Sequence, residues 1–228
     1  MSTPDLVPVV SRPRMSAELA LATFQERSAR QAQTLAGYSA ATVVRAELPR
    51  SSQHGQLELE RRYSAPRTLT FKVLHFVGDG FVKTNVIARL LQSEVDHVQK
   101  DDPAVTALRP ENYKFSHKST TQIADRVVHV YQVKPRKKRP GLFKGHIYLD
   151  ATTGNLLRAE GRVKSPSIFV NKIDFVQEYA QFNGFTLPTH IHTEAKAALV
   201  GRTVVEIVNS DCQPVLLSPE SAVASGSN

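Results

Sequence analysis

Alternation of apolar and polar residues, repeated in segment after segment, is the feature that most limits what this chain can become. Tyr38, Ala40, Thr42, Val44, Ala46 and Leu48 alternate with Ser39, Ala41, Val43, Arg45 and Glu47. A period of two puts one set on each face of a strand; a helix would scatter both sets around its surface. After a turn-rich break from Pro49 to Gly55, Leu57 and Leu59 alternate with Glu58 and Glu60. Leu69, Phe71, Val73, His75 and Val77 then alternate with Thr70, Lys72, Leu74 and Phe76. Three such segments joined by short polar turns predict a meander, because parallel crossovers need a dozen or more residues between strands.

The later part of the chain repeats the pattern. Candidate strands run over Asn112 to Lys118, Arg126 to Lys134, Leu142 to Asp150 and Leu156 to Lys164. Two more, Ile168 to Phe182 and Phe185 to Ala198, flank Asn183-Gly184, where both residues tolerate positive φ and suit a tight hairpin turn. A last strand runs from Thr203 to Asn209 after Gly201. Two stretches break the alternation. Ser16 caps a helix with Leu19, Ala22, Phe24 and Leu35 as its apolar stripe, and Gly37 is its expected stop. Val86, Ile87, Leu90, Leu91, Val95 and Val98 recur at helical spacing between Val82 and Lys100.

These segments predict a mainly β, α+β fold of about eight or nine strands and two helices. A sheet that long twists and curls, giving an unclosed antiparallel half-barrel with the helices covering its concave side. The expected organisation is a flexible arm over 1–15, one domain over 16–210 and a flexible tail over 211–228. No run of apolar residues reaches the length of a membrane span, so no transmembrane segment is expected. The first eight residues hold no apolar core of a signal peptide. Cys212 is the sole cysteine, which excludes an intramolecular disulfide.

Motifs for chemistry are sparse. The sequence has no Gly-x-Ser-x-Gly elbow, phosphate-binding loop, His-Glu-x-x-His pair or dinucleotide fingerprint, so neither an enzyme nor a cofactor is expected. His190, His192 and Glu194 share one face of a strand and form a weak metal candidate, with the polar side of a half-buried strand as the plainer reading. The net charge is +8, and its densest cluster is the hairpin tip bearing Lys134, Arg136, Lys137, Lys138 and Arg139. That loop suits an acidic partner, an anionic membrane surface or an envelope protein. No aromatics are interleaved for base stacking, so no nucleic acid is expected. Ten Phe against six Tyr and no Trp put most aromatic surface without a polar handle. Leu57, Leu59, Phe71, Val73, Ile147, Leu149, Ile173, Phe175 and Ile191 fall on one face if the registers run evenly, either as an ordinary core or as the wall of an apolar cavity.

Three stretches carry a family resemblance: Arg62-Tyr63-Ser64-Ala65-Pro66-Arg67-Thr68-Leu69-Thr70-Phe71, the run from Gly145 to Gly161 with Asp150 and Thr153-Gly154 at its turn, and Gly184-Phe185-Thr186-Leu187-Pro188. With the order of helix, three strands, helix and long meander, residues 16–210 resemble the outer-membrane lipoprotein-sorting proteins of the LolA/LolB kind, in a longer bacterial branch. The resemblance implies a half-barrel lidded by helices, a hollow that takes lipid or lipoprotein acyl chains, lipoprotein trafficking and a periplasmic location. It also implies a signal peptide, which is not expected from the first eight residues, and places Arg45 near a functional arginine of the carriers.

Overall fold

The computed structural model describes residues 13–164, 170–197 and 201–217. Ten strands form one antiparallel sheet: β1 (Leu35–Leu48), β2 (Gln53–Ser64), β3 (Thr68–Gly78), β4 (Tyr113–Ile123), β5 (Arg126–Pro135), β6 (Phe143–Asp150), β7 (Leu156–Lys164), β8 (Val170–Phe182), β9 (Phe185–Ala197) and β10 (Gly201–Leu216). Their spatial order is β3-β2-β1-β10-β9-β8-β7-β6-β5-β4. The half-barrel and its antiparallel pairing are as the alternation predicts, and the ten strands fall on the ten candidate segments, one or two above the estimate of eight or nine.

That order has one consequence for function. β3 and β4 are consecutive in the chain but lie at opposite edges of the sheet. The segment between them must therefore cross the open side. It does so as a continuous helix followed by a strap. The helix begins as α2 (Gly80–Val82), widens through a π-helical turn (Lys83–Ile87) and continues as α3 (Ala88–Lys100). The strap, residues 101–112, opens with a short 3-10 turn (Pro103–Val105) capped by the Asp102 side chain.

The first helix, α1 (Ala17–Thr34), starts at the Ser16 cap, whose hydroxyl accepts from the Leu19 amide. It does not end on Gly37. It runs straight into β1 at Leu35, and Gly37 lies within that strand. A Cβ on Gly37 would collide with the Tyr63 carbonyl oxygen of β2, so the glycine answers a close strand approach instead of a helix stop. Gly145 and Gly161 face each other across β6 and β7 for the same reason. Leu19, expected in the buried stripe, is 54% exposed; Ala20 and Phe24 are the buried positions.

Two further features depart from even registers. β3 carries a bulge at Leu74, between the pairs Glu58↔His75 and Leu59↔Val73. The extra residue reverses the alternation, so Phe76 packs on the core and Val77 is 57% exposed. β10 continues through Leu216, which pairs with Leu35, and Cys212 is buried against Ala40, Phe185 and Leu187. The Asn183-Gly184 turn has positive φ at both residues, as its sequence requires.

Apolar packing divides into two main clusters. Val44, Ala46, Leu48, Leu57, Leu59 and Ile207 of the sheet pack against Val82, Val86, Ile87 and Leu91 of the second helix. Tyr131, Val133, Ile147, Leu149 and Leu156 pack around Phe24 of α1.

Candidate functional site

The two helices cover the sheet differently. α1 is tied down along its length. The Tyr131 hydroxyl donates to the Ala17 carbonyl, and the Arg27 guanidinium donates to the Thr153 carbonyl at 2.6 Å. Gln31 makes a paired contact with Thr186 of β9, donating to its carbonyl at 3.0 Å and accepting from its amide at 2.8 Å. Asp150 builds the seat for Arg27, because its carboxylate accepts from the Thr152 and Thr153 amides and folds the β6–β7 turn. α1 is thereby held across the sheet as a bridge.

The strap is fixed separately. The Asn112 side-chain amide donates to the Ala104 and Ala107 carbonyls at 2.8 and 2.9 Å. Arg136 of the β5–β6 loop donates through Nε to the Pro110 carbonyl at 2.6 Å.

Between bridge, strap and concave sheet lies a cavity of about 940 Å³. Its walls include Phe24, Tyr113, Phe143, Phe175 and Tyr179. Phe143 and Phe175 meet edge to face at 4.9 Å. Asp102 and Arg109, both in the strap, are the charged residues among its described lining. Burial pushes the phenols of Tyr113 and Tyr179 above their ordinary range, so both stay neutral. Such a wall solvates apolar groups, with scattered polar side chains such as Gln25, Ser28, Gln31, Gln177 and Thr193 among its lining.

The predicted apolar positions separate on this geometry. Ile173, Phe175 and Ile191 line the cavity. Leu57 and Leu59 are 3% and 1% exposed beneath the second helix, and Phe71 packs at the border of that cluster. Ile147 and Leu149 are fully buried in the cluster under α1. Val73 sits on the edge strand, 55% exposed. Sequence reasoning missed Tyr113, Phe143, Val163 and Tyr179. The last three carry the same alternation as Ile173 and Phe175, but assigning them to the hollow requires knowing which helix leaves space.

The interior also holds a buried ion pair. Arg61 of β2, 7% exposed, donates to Glu94 of α3 at 2.7 Å. Its guanidinium lies 5.1 Å from the Phe71 ring centre. Burial works against the Arg61 charge, and the Glu94 carboxylate with the Tyr38 hydroxyl outweighs it, holding the pKa above its usual value. Arg45, by contrast, is on the convex face, where it bonds Gln56 at 2.9 Å and lies 3.8 Å from Glu206.

His190, His192 and Glu194 also lie on the convex face. His190 sits between Glu178 at 3.8 Å and Glu206 at 3.3 Å, while Glu194 is held by Arg202 at 2.8 Å. His192 lies 3.6 Å from Glu194, but His190 is engaged by Glu178 and Glu206 instead, so the three side chains do not share one centre. Among the described residues no three His, Cys, Asp or Glu side chains converge as a metal site. The basic loop is split as well. Arg136 is turned toward the strap, whereas Lys137, Lys138 and Arg139 are exposed and bond to no described group. Lys134, on β5, is exposed beside them. Among the described residues, no helix is long and apolar enough to cross a membrane.

No family model and no curated protein matches the sequence. Among solved structures, the chain is similar to a domain provisionally described as an outer membrane lipoprotein-sorting protein from Vibrio parahaemolyticus, at 14% identity and TM-score 0.45, covering 90% of this chain and 97% of that one. It is similar to the LolA superfamily protein NE2245 from Nitrosomonas europaea, at 12% identity and TM-score 0.41, covering 90% and 96%. It is also similar to a DUF1329 family protein from Desulfovibrio piger, at 12% identity and TM-score 0.45, covering 87% and 95%.

Proposed function

We propose that this protein is a non-catalytic carrier that holds lipid or lipoprotein acyl chains in the hollow between α1, the strap and the concave sheet. The periplasm and a part in lipoprotein trafficking belong to the same proposal. The observation that carries it is the cavity: about 940 Å³, walled by Phe and neutral Tyr rings, with its charged lining confined to the strap. Apolar chains leaving water for such a wall gain about 0.8 kcal/mol per buried methylene. That gain needs no directional contact, so it suits a carrier that accepts and releases chains without chemistry.

The test is direct. Protein purified without detergent is extracted with organic solvent and the extract analysed by mass spectrometry, and a fluorescent fatty acid is titrated into delipidated protein. Saturable uptake is expected, and Ile173→Trp, which fills the hollow, should weaken it at least tenfold while the far-ultraviolet circular dichroism stays unchanged. Absence of both bound lipid and fatty-acid uptake would sink the reading.

A further inference from the structure

The β5–β6 loop is joined to the strap at both of its ends. At its start, the Arg136 amide donates to the Asn112 carbonyl at 2.8 Å, and its Nε donates to the carbonyls of Pro110 at 2.6 Å and Tyr113 at 3.2 Å. At its end, Gly141 has a φ of +80° and sits so close to Thr106 that a Cβ would lie 2.8 Å from the Thr106 methyl carbon. Two residues on, the Phe143 amide donates to the hydroxyl of Tyr113, a residue of the cavity wall. The loop cannot shift as a body without disturbing the strap that roofs the cavity.

Between these anchors stand Lys137, Lys138 and Arg139, exposed and without a bonding partner among the described residues. They rim a groove of about 1300 Å³ whose other cations are Arg136, Lys144 and Arg162. Strand pairing fixes the side of the sheet. Gln132, His146 and Glu160 stand opposite one another, as do Lys144, Arg162 and Asp174. Both rows alternate with the buried Tyr131, Ile147 and Ala159, so these side chains stand on the convex face, while Val163 and Phe175 line both the groove and the cavity. The two carboxylates of the groove are already engaged: Glu160 by Arg158 at 2.6 Å and by the Tyr148 hydroxyl, and Asp174 by Arg162 at 2.6 Å. The groove therefore presents a surplus of positive charge.

We propose that Lys137, Lys138 and Arg139 dock the protein on an anionic phospholipid bilayer, and that Arg136 and Gly141 couple this docking to movement of the strap. Three consecutive cations with no fixed orientation suit a diffuse layer of phosphates better than a single acidic peptide. Recognition of one carboxylate favours a guanidinium held in a set direction, and the one arginine of the loop so held, Arg136, spends its Nε on the strap. Docking and strap position are then linked reciprocally: whatever loosens the strap strengthens docking, and docking loosens the strap. The docking half stands alone; the use of strap movement to load or release a chain rests on the carrier reading above.

Three measurements on the full chain decide it. Co-sedimentation is run with vesicles of phosphatidylglycerol and phosphatidylcholine, and with phosphatidylcholine alone. Binding is expected only to the anionic vesicles, to fall at 0.5 M salt, and to drop on the order of a hundredfold in the triple variant Lys137→Glu, Lys138→Glu, Arg139→Glu. Hydrogen exchange of amides 103–113 should accelerate when wild-type protein meets anionic vesicles. Arg136→Gln should keep vesicle binding but lose that acceleration, and Gly141→Ala serves as a second way to disturb the same joint. Failure of wild-type protein to bind anionic vesicles, undiminished binding by the triple variant, or binding to a polyglutamate peptide in their place overturns the docking surface. Unchanged exchange in wild type, or a preserved response in both joint variants, overturns the coupling. None of these readouts uses a fatty acid, so failure of the carrier reading would be seen separately.

Discussion

One sheet meets two helices with opposite results. Under α2–α3 the concave face is filled: the helix brings Val82, Val86, Ile87 and Leu91, all 9% exposed or less, and the sheet answers with Leu57 and Leu59. Under α1 it is hollow. That helix places its large apolar residues, Leu21 and Phe24, in its first half. From Gln25 onward it turns Gln25, Ser28, Ala29, Gln31 and Ala32 to the cavity. Ser28, Ala29 and Ala32 are too short to fill the gap, and Gln31 spends its amide on the Thr186 backbone, so space remains between them and the Phe143–Phe175 pair. Helix composition, with the sheet held constant, decides where this fold is a core and where it is a container.

The comparison predicts different costs for similar truncations. The largest is electrostatic and lies on the filled side. Glu94→Ala leaves Arg61 charged and buried with no carboxylate, and should lower the unfolding free energy by about 3 kcal/mol in a urea titration. Replacing both members, Arg61→Leu with Glu94→Leu, should recover most of that loss, since the pair costs desolvation that an apolar pair avoids. A double variant as unstable as Glu94→Ala would show that the pair itself, and not the orphaned charge, matters. Leu59→Ala, on the same side, should cost about 3 kcal/mol through the cavity it opens, yet leave fatty-acid uptake unaltered.

On the hollow side the effects reverse. Ala29 and Ala32 line the cavity and are exposed to it. Ala29→Leu with Ala32→Leu should extend the apolar stripe of α1 toward the sheet, changing stability by less than about 1 kcal/mol. Fatty-acid uptake should fall several-fold in the same protein. A large loss of stability, with uptake intact, would mean the space under α1 is already occupied by the protein's own packing.

Much of this was legible in the residues. The period-two runs located every described strand, and Asn183-Gly184 and the Asp150–Gly154 turn behave as their residue types dictate. What the alternation could not reveal was phase. The bulge at Leu74 adds one residue to β3 and exchanges the faces of Phe76 and Val77, an event that leaves no mark on local hydropathy. Gly37 read as a helix stop because glycine serves both helix ends and close strand contacts, and the residues that decide between them, Tyr63 and Ser64 of β2, lie far along the chain. The candidate site was half legible for a similar reason. Ile173, Phe175 and Ile191 share a face with Leu57 and Leu59, but only the helix above each position separates wall from core, and that pairing is tertiary.

The most local predicted effect concerns how α1 is held over its hollow. The Tyr131 hydroxyl donates to the Ala17 carbonyl, and burial pushes its pKa from the usual phenol value of 10.0 up to about 12. Because the folded value is raised, the unfolded chain releases this proton first as pH rises. The stability contributed by keeping Tyr131 neutral is complete below pH 10 and is lost progressively as pH rises from there through about 12. Tyr148, raised to about 12 by burial and its bond to Glu160, loses its contribution over the same window on the convex face. Tyr131→Phe should cost about 1 kcal/mol at neutral pH, the worth of one hydrogen bond, and should flatten the decline of stability between pH 10 and 12. The contrast with Tyr148→Phe locates the effect. Both substitutions flatten the alkaline decline, but only the loss of the Ala17 contact frees the start of α1, so only Tyr131→Phe should speed hydrogen exchange at the amides of residues 17–24. Equal exchange in the two variants would mean that Arg27 and Gln31 alone hold the bridge in place.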